Sequence, residues 1–324
     1  MNSSINRSTK RTYDPFASGA EPGVATIELF DTARGRRFPC ELWYPSRVGG
    51  RDAKAQPGSH PLIAFSHYSG AGRRASSFLC EHLAAHGYVV AALDHSEVVS
   101  NELQPATGES AQRRAQRIHE VIESRVPDLR FLLDHLLSSE QLPAHIAGDL
   151  VGAVGHSFGG WTVLEAAVQD RRIGSIVALA PAGGAHARPG ILPVRASLQW
   201  QRDVPVLYLA AENDVSIPLE SVMELYRRTT GTKSMVVLAR ADHLHFVDDV
   251  ETRHEAVRTM ALSPELAWLN NAMRPIGELL SGSEAHRFVR GYTLAHFDAT
   301  LRGISEAIML WKKLAESSLL RSRH

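Results

Sequence analysis

A serine, an aspartate and a histidine occur along this chain in an order that could activate a hydroxyl group. Ser157 is the centre of the pentapeptide GHSFG (155–159), between an apolar run (150–154) and a segment of helical character (161–168). This context is typical of a nucleophile elbow, a sharp turn that lifts a serine hydroxyl above the end of a sheet. The flanking glycines fit, because a Cβ there would clash with neighbouring backbone. Ser157 is the predicted nucleophile; the alternative is a glycine-rich turn with a capping serine.

A serine hydroxyl is a poor nucleophile at neutral pH and needs a histidine base that a carboxylate orients. Asp214 is the predicted carboxylate, since it follows the apolar strand VPVLYLA (204–210) and fits the chain order serine, acid, histidine. Glu212 is the nearest rival, and a capping role in a turn is the non-catalytic alternative for Asp214. The preceding strand ends at Leu179 without a carboxylate after it, which favours Asp214.

His243 is the predicted base, because it is the first histidine after the last apolar strand (234–238). His245 follows two residues later, and a polar loop residue is the alternative for either imidazole. The two histidines could also ligate a metal ion, but no matching third and fourth ligand accompanies them. We therefore predict no metal site and no cofactor. His67 is expected to form hydrogen bonds within its own loop, since the triad already has a base.

Two backbone N–H groups are expected to stabilise the oxyanion that forms when a serine attacks a carbonyl group. Phe158 provides the first, at the N-terminus of the helix that follows the nucleophile. The second should come from the loop SHYSGAG (66–72), which follows the strand PLIAFS (61–66). In that loop Ser69 is the first choice and Tyr68 the second.

The substrate pocket is expected beneath two irregular segments. Segment 181–203 is too long for an ordinary connection and, with loop 95–108, should frame the pocket. Four aromatic residues are candidates for its walls, although each is equally expected in the hydrophobic core: Tyr68, Trp161, Trp200 and Phe246.

Alternating strand and helix patterns predict an α/β fold, with a mostly parallel central sheet flanked by helices. The first two strands (24–30 and 37–44) have no helix between them, which predicts an antiparallel edge. A helical piece at 111–123 and a separate helix beginning near Pro127 are expected, and one final helix should carry the apolar stripe 297–311.

The chain is interpreted as an N-terminal flexible arm (1–23) and one domain (24–324) with a helical C-terminal extension. That extension could form a homodimer interface or cover the sheet. Lys+Arg and Asp+Glu both number 35, so no nucleic-acid partner is expected. Cys40 and Cys80 are expected to be buried free thiols. With no secretory signal and no apolar run of about 18 residues, we predict a cytoplasmic protein without a membrane segment.

Six stretches resemble α/β hydrolases of the dienelactone hydrolase-like and platelet-activating factor acetylhydrolase-like group. They are FPCELWYPS (38–46), PLIAFSH (61–67), LAAHGYVVAALDH (83–95), GHSFGG (155–160), DHLHF (242–246) and GYTLAHFDATLRG (291–303). The resemblance implies the α/β-hydrolase fold with short lid-like loops and esterase or lipase-like activity. It also implies the triad Ser157, Asp214 and His243.

The chain departs from this group at three positions. Tyr68 stands where a glycine commonly follows the loop histidine, and Ala180 stands where the acetylhydrolases place their acid. Ser157 stands where a dienelactone hydrolase proper has cysteine. The resulting hypothesis is serine-dependent hydrolysis of a small or medium carboxylic ester, with the ester as the small-molecule partner. An amidase, peptidase, thioesterase or lyase on the same fold is the alternative, and a non-catalytic binding module is a further one.

Overall fold

A ten-stranded sheet organises the chain in the computed structural model, which describes residues 13–103, 108–186, 188–316 and 320–321. In chain order the strands are β1 (Gly23–Asp31), β2 (Arg36–Tyr44), β3 (Gly50–Arg51), β4 (Ser59–Ser66), β5 (Val89–Leu93), β6 (His145–His156), β7 (Ile173–Leu179), β8 (Val206–Ala211), β9 (Lys233–Leu238) and β10 (Leu320–Arg321). Their order in space is β10-β9-β8-β7-β6-β4-β5-β2-β1-β3. Strands β4 to β9 pair in parallel, whereas β2 is antiparallel to both β1 and β5. The predicted parallel sheet and antiparallel edge are confirmed.

Helices cover both faces of this sheet. They are α1 (Ser77–Ala85), α2 (Ser96–Val99), α3 (Ala111–Ser138), α4 (Phe158–Gln169), α5 (Leu219–Arg228), α6 (Val250–Thr259), α7 (Trp268–Ala272), α8 (Gly282–Thr300) and α9 (Ser305–Glu316), with 3-10 helices at His243–Phe246 and Ile276–Glu278. Successive side chains of a strand point to opposite faces. Leu62 and Ala64 of β4 therefore join the core under α3 and α4, and Ile63 and Phe65 join the core under α1 and α8.

Two helix predictions are wrong. Helix α3 is one helix of 28 residues that continues through Pro127. The proline removes one helical hydrogen bond, but the buried face around it, including Val126 and Leu129, holds the helix against the sheet. The expected single final helix is instead α8 and α9, because the chain turns at Gly303, whose φ of +65° lies in the left-handed region.

The described part of the N-terminal arm packs against the domain, whereas residues 1–12 lie outside the described residues. The Tyr13 hydroxyl donates to Asp298 of α8 at 3.0 Å, and the Phe16 ring meets Tyr292 edge-on at 5.5 Å. Cys40 and Cys80 are buried free thiols, as predicted. In the described part of the chain, no helix combines the length and the apolar character needed to cross a bilayer.

Candidate active site

Ser157 lies on the sharp turn between β6 and α4, with a φ of 58° and a ψ of −115°. A positive φ is costly for a residue with a Cβ and persists only where the surrounding structure imposes it. The neighbouring glycines show what imposes it here. A Cβ on Gly155 would overlap the carbonyl of Gly159, and a Cβ on Gly159 would overlap the carbonyl of Ser66. The turn is therefore packed directly against the end of β4.

Asp214 and His243 meet at the same edge of the sheet, after the carboxyl ends of β8 and β9. His243 Nδ1 donates to Asp214 Oδ2 at 2.7 Å. The other carboxylate oxygen, Oδ1, accepts the backbone N–H groups of Ser216 at 2.9 Å and Ile217 at 2.8 Å. Asp214 is thus fixed from both sides, and Nε2 is the ring nitrogen of His243 that is left to exchange a proton.

The electrostatic surroundings of His243 favour its protonated form. Burial by itself lowers the pKa of His243, but the Asp214 carboxylate outweighs burial and raises the pKa above its usual value. A base with a raised pKa accepts a proton more readily. This arrangement suits general base catalysis by the imidazole.

The rival residues have other contacts. Glu212 accepts the backbone N–H of Arg240 at 3.0 Å. His245 is fully buried, with Nε2 donating to the Leu280 carbonyl at 2.8 Å and Nδ1 2.9 Å from the Asp242 carboxylate. Both residues therefore help to hold the loop that carries His243. No group of three or more His, Cys, Asp or Glu side chains is placed to hold a metal ion within the described ranges.

The loop after β4 lies beside the N-terminus of α4. Within it, His67 Nδ1 donates to the Tyr68 carbonyl at 2.7 Å and Nε2 accepts the N–H of His95 at 3.1 Å, which fits the expected structural role of His67. Among the described residues, no acceptor forms a hydrogen bond with the N–H of Tyr68 or Ser69. Phe158 is the first residue of α4, so its N–H has no acceptor within the helix.

The aromatic candidates occupy different surroundings. Trp161 donates through Nε1 to the Arg195 carbonyl at 3.1 Å, Trp200 donates to the Leu164 carbonyl at 2.9 Å, and both side chains are buried. Phe246 is fully buried. Tyr68 alone among the four is partly exposed. Tyr68 is therefore the member of this set whose side chain reaches the surface.

His156 is a site residue that the sequence analysis did not identify. Its buried ring lies 4.6 Å from the ring of His243 and 5.4 Å from that of Tyr68. Burial holds the pKa of His156 well below its usual value, so a neutral ring packs against the imidazole of His243. Its position directly before the predicted nucleophile was the available signal.

The start of segment 181–203 lies beside the elbow. The N–H of Ala182 donates to the Ser157 carbonyl at 2.9 Å. A narrow cavity of about 20 Å³ runs from Ala182 to Ser216, with Ile191 and Leu192 in its wall. The same two residues also line an open groove of about 470 Å³ toward α3. The segment thus separates a small cavity near the elbow from a larger groove outside it.

The sheet order, the elbow and the edge at which the three side chains emerge define the α/β-hydrolase fold. A solved structure, a ferulic acid esterase from Streptomyces cinnamoneus, has the same fold with a TM-score of 0.62. It is 23% identical to this chain, and the match covers 89% of this chain and 92% of that one. At this level of identity the likeness concerns the fold.

Sequence comparison points to one group of these hydrolases. Residues 48–125 match the family model described as platelet-activating factor acetylhydrolase, isoform II. The platelet-activating factor acetylhydrolase of Canis lupus familiaris is 30% identical over 153 residues, which are 37% of this chain and 34% of the relative. That of Cavia porcellus is 26% identical over 219 residues, 58% of this chain and 48% of the relative. The resemblance seen in the sequence is confirmed, and the chain spans about a third to a half of these relatives' length.

Proposed function

We propose that this chain hydrolyses carboxylic esters through a covalent acyl-enzyme, with Ser157, His243 and Asp214 as nucleophile, base and acid. The observation that carries the proposal is the His243–Asp214 hydrogen bond of 2.7 Å at the sheet edge where a strained turn presents Ser157. A serine of this kind requires a base that a carboxylate holds in one tautomer. Relatives named acetylhydrolases and a fold neighbour named an esterase support an ester as the substrate class.

The proposed reaction has two halves. His243 Nε2 takes the proton of the Ser157 hydroxyl as the oxygen attacks the ester carbonyl, and returns it to the alcohol that leaves. Water, activated by the same nitrogen, then attacks the acyl-enzyme and releases the acid. The oxyanion in both halves accepts the N–H of Phe158 and a second N–H from Ser69 or Tyr68. Asp214 stabilises the imidazolium.

The cavities support a short acyl group. The cavity at Ala182 and Ser216 lies between the elbow and the Asp214 turn, and its volume of about 20 Å³ is little more than one water molecule needs, so we expect the space beside the elbow to admit only a compact acyl group. The groove beyond Ile191 and Leu192 is open and larger, and we assign it to the alcohol. Tyr68, whose partly exposed ring lies 5.4 Å from that of His156, is proposed as an aromatic wall beside Ser157. The substrate class is then a small or medium ester with a compact acyl group.

Hydrolysis of nitrophenyl esters of increasing acyl length tests this function in the wild type and in Ser157→Ala. We expect the highest kcat/KM at short acyl chains and a loss of about 10⁴-fold or more in the variant. Ser138→Ala, at the end of α3, is the control and should behave as the wild type.

Two outcomes would contradict the proposal in different ways. Full activity in Ser157→Ala would remove Ser157 as the nucleophile. A wild type that cleaves no ester, while a fluorophosphonate still labels Ser157, would retain the activated serine and indicate an amide, thioester or other bond.

A further inference from the structure

A fully buried ion pair lies beneath the loop that is proposed to supply the second oxyanion donor. Arg125 of α3 bonds Glu97 of α2, and both side chains are 0% exposed. Removing two charges from water is costly, and apolar residues of similar volume usually serve folding as well or better. The other groups that the guanidinium contacts therefore indicate what this buried pair does.

Those groups are consecutive backbone carbonyls of the loop. Arg125 Nη1 donates to the His67 carbonyl at 2.8 Å, and Nη2 approaches the Tyr68 carbonyl at 3.4 Å. Nη1 also lies 3.3 Å from the hydroxyl of Ser66 at the end of β4. One planar side chain, itself held by Glu97, thus binds two successive peptide groups; the Tyr68 carbonyl also accepts His67 Nδ1 at 2.7 Å and the N–H of Ala71 at 3.2 Å.

Fixing these carbonyls also fixes the two candidate donors. The His67 carbonyl and the Tyr68 N–H belong to one peptide group, as do the Tyr68 carbonyl and the Ser69 N–H. In a trans peptide the C=O and N–H point in opposite directions, and the described residues contain no cis peptide bond. A guanidinium that binds both carbonyls from within the protein therefore turns both N–H groups away from itself.

The same guanidinium contacts the other half of the proposed oxyanion hole. Its carbon Cζ lies 4.3 Å from the centre of the buried Phe158 ring, within the range of a cation–π contact. Phe158 supplies the donor at the start of α4. One side chain thus contacts both the loop that carries one donor and the residue that carries the other.

We propose that Arg125, anchored by Glu97, is a positioning residue that orients the N–H groups of the oxyanion hole. This inference rests on the proposed function, since it assigns the hole to that reaction. Arg125 itself stays beneath the loop and the Phe158 ring. Its effect on the reaction is through the placement of the two donors.

Arg302 offers a matched control at the amino end of β5. It donates to the consecutive carbonyls of His86 and Gly87, both at 2.7 Å, and to Asp298 at 3.1 Å. Its Cζ lies 4.0 Å from the centre of the Tyr88 ring. The set of contacts matches that of Arg125, but no residue of the proposed site takes part.

The test compares the wild type, the double variant Arg125→Met/Glu97→Leu, Arg125→Lys and Arg302→Met. The double substitution is chosen because removing Arg125 alone would leave the Glu97 charge buried and unpaired, which can prevent folding. The rate constant for labelling of Ser157 by a fluorophosphonate is measured with kcat and KM for a short nitrophenyl ester. Thermal unfolding of each variant is recorded in parallel.

In the double variant we expect labelling and kcat to fall about 100-fold, as for loss of an oxyanion donor, with little change in KM. Arg125→Lys should give an intermediate loss, because an ammonium group cannot reproduce the planar fork that spans two carbonyls. Folded Arg302→Met should be labelled at the wild-type rate and should have the wild-type kcat.

The inference is overturned if a folded double variant is labelled at the wild-type rate, or if Arg302→Met loses as much activity as the double variant. A wild type that is labelled but cleaves no ester contradicts the proposed function alone, and the labelling rates then still decide the role of Arg125. A wild type that is not labelled contradicts both.

Discussion

Arg125 and Arg302 bind turns at opposite ends of the sheet through similar contacts. The two turns differ in whether the N–H groups of the bound peptides have an acceptor. At the amino end of β5, the peptide groups that Arg302 binds are satisfied on their other side as well. The N–H of Gly87 donates to Ala84 at 3.0 Å and that of Tyr88 to Leu83 at 3.2 Å, which closes the end of α1. This end is a completed helix terminus, and its arginine needs no role beyond holding the turn.

At the carboxyl end, the peptide groups that Arg125 binds have no acceptor for their N–H groups among the residues described above. Exposure differs too: Arg302 is 23% exposed, whereas Arg125 is fully buried. Backbone donors without partners are rarely left inside a protein unless water or a ligand satisfies them. The same arrangement, a guanidinium bound to two consecutive carbonyls, therefore closes a turn at one end of the sheet. At the other end it leaves two backbone N–H groups available to a ligand.

The largest loss of activity is expected when the acid at the carboxyl end is replaced. Asp214→Asn should lower kcat by about 10⁴-fold, because an amide cannot hold His243 in the tautomer that leaves Nε2 free. The matched variant Glu212→Gln should stay within a few-fold of the wild type, since the side chain of Glu212 bonds the Arg240 backbone N–H and no residue of the proposed triad within the described ranges. Steady-state kinetics of both variants measure this. A larger loss in Glu212→Gln than in Asp214→Asn would exchange their roles.

Arg302→Met should show the opposite behaviour, a change in stability without a change in catalysis. Hydrogen bonds from a charged group to buried acceptors contribute about 1.5–3 kcal/mol, and partial exposure of Arg302 reduces its share. We expect the free energy of unfolding to fall by about 2 kcal/mol, measured by urea denaturation. A lower kcat in the folded variant, with unchanged stability, would contradict a purely structural role of Arg302.

The contrast between the ends also explains what the sequence could predict. Ser157 is recognisable because the elbow is local: glycines, serine and flanking strand and helix are contiguous. Asp214 and His243 follow from chain order and strand ends, since parallel strands bring their carboxyl ends to one edge. Arg125 carries no such signal. Its role depends on α3 packing under a loop almost 60 positions earlier in the sequence, and a charged residue in a helical pattern is ordinarily assigned to the surface.

The aromatic residues show a second limit. Trp200 and Phe246 are buried, whereas Tyr68 is partly exposed beside the site. Large aromatic side chains bury area equally well in a core or a pocket, so residue type does not separate the two. Similarly, Pro127 suggested the start of a helix. The tertiary contacts that stabilise α3 on both sides of this proline are not visible in the local sequence. In each case the environment of the residue depends on contacts between segments that are distant in sequence.

The pH dependence of activity gives the smallest of these effects and distinguishes His243 from the other buried histidines. Toward the amino end, burial lowers the pKa of His82 and of His296 to about 3, so both stay neutral over the working range. At the carboxyl end, Asp214 raises the pKa of His243 despite burial. Because the base must be neutral, kcat/KM should fall about tenfold per pH unit below that pKa, with a midpoint above about 6.5.

This acid limb should not reflect unfolding. A group whose pKa is higher in the folded chain stabilises the fold when protonated, and this contribution is lost as pH rises through the raised pKa. Protonation of His243 therefore favours the folded state while it abolishes the base. The buried histidines with a lowered pKa, such as His82, His156 and His296, act in the opposite direction as pH falls below about 6.5. We therefore expect circular dichroism to report a folded chain at the midpoint of the acid limb and loss of the folded signal only at lower pH. A midpoint well below 6.5, or one that coincides with loss of the folded signal, would mean that His243 does not set the acid limb.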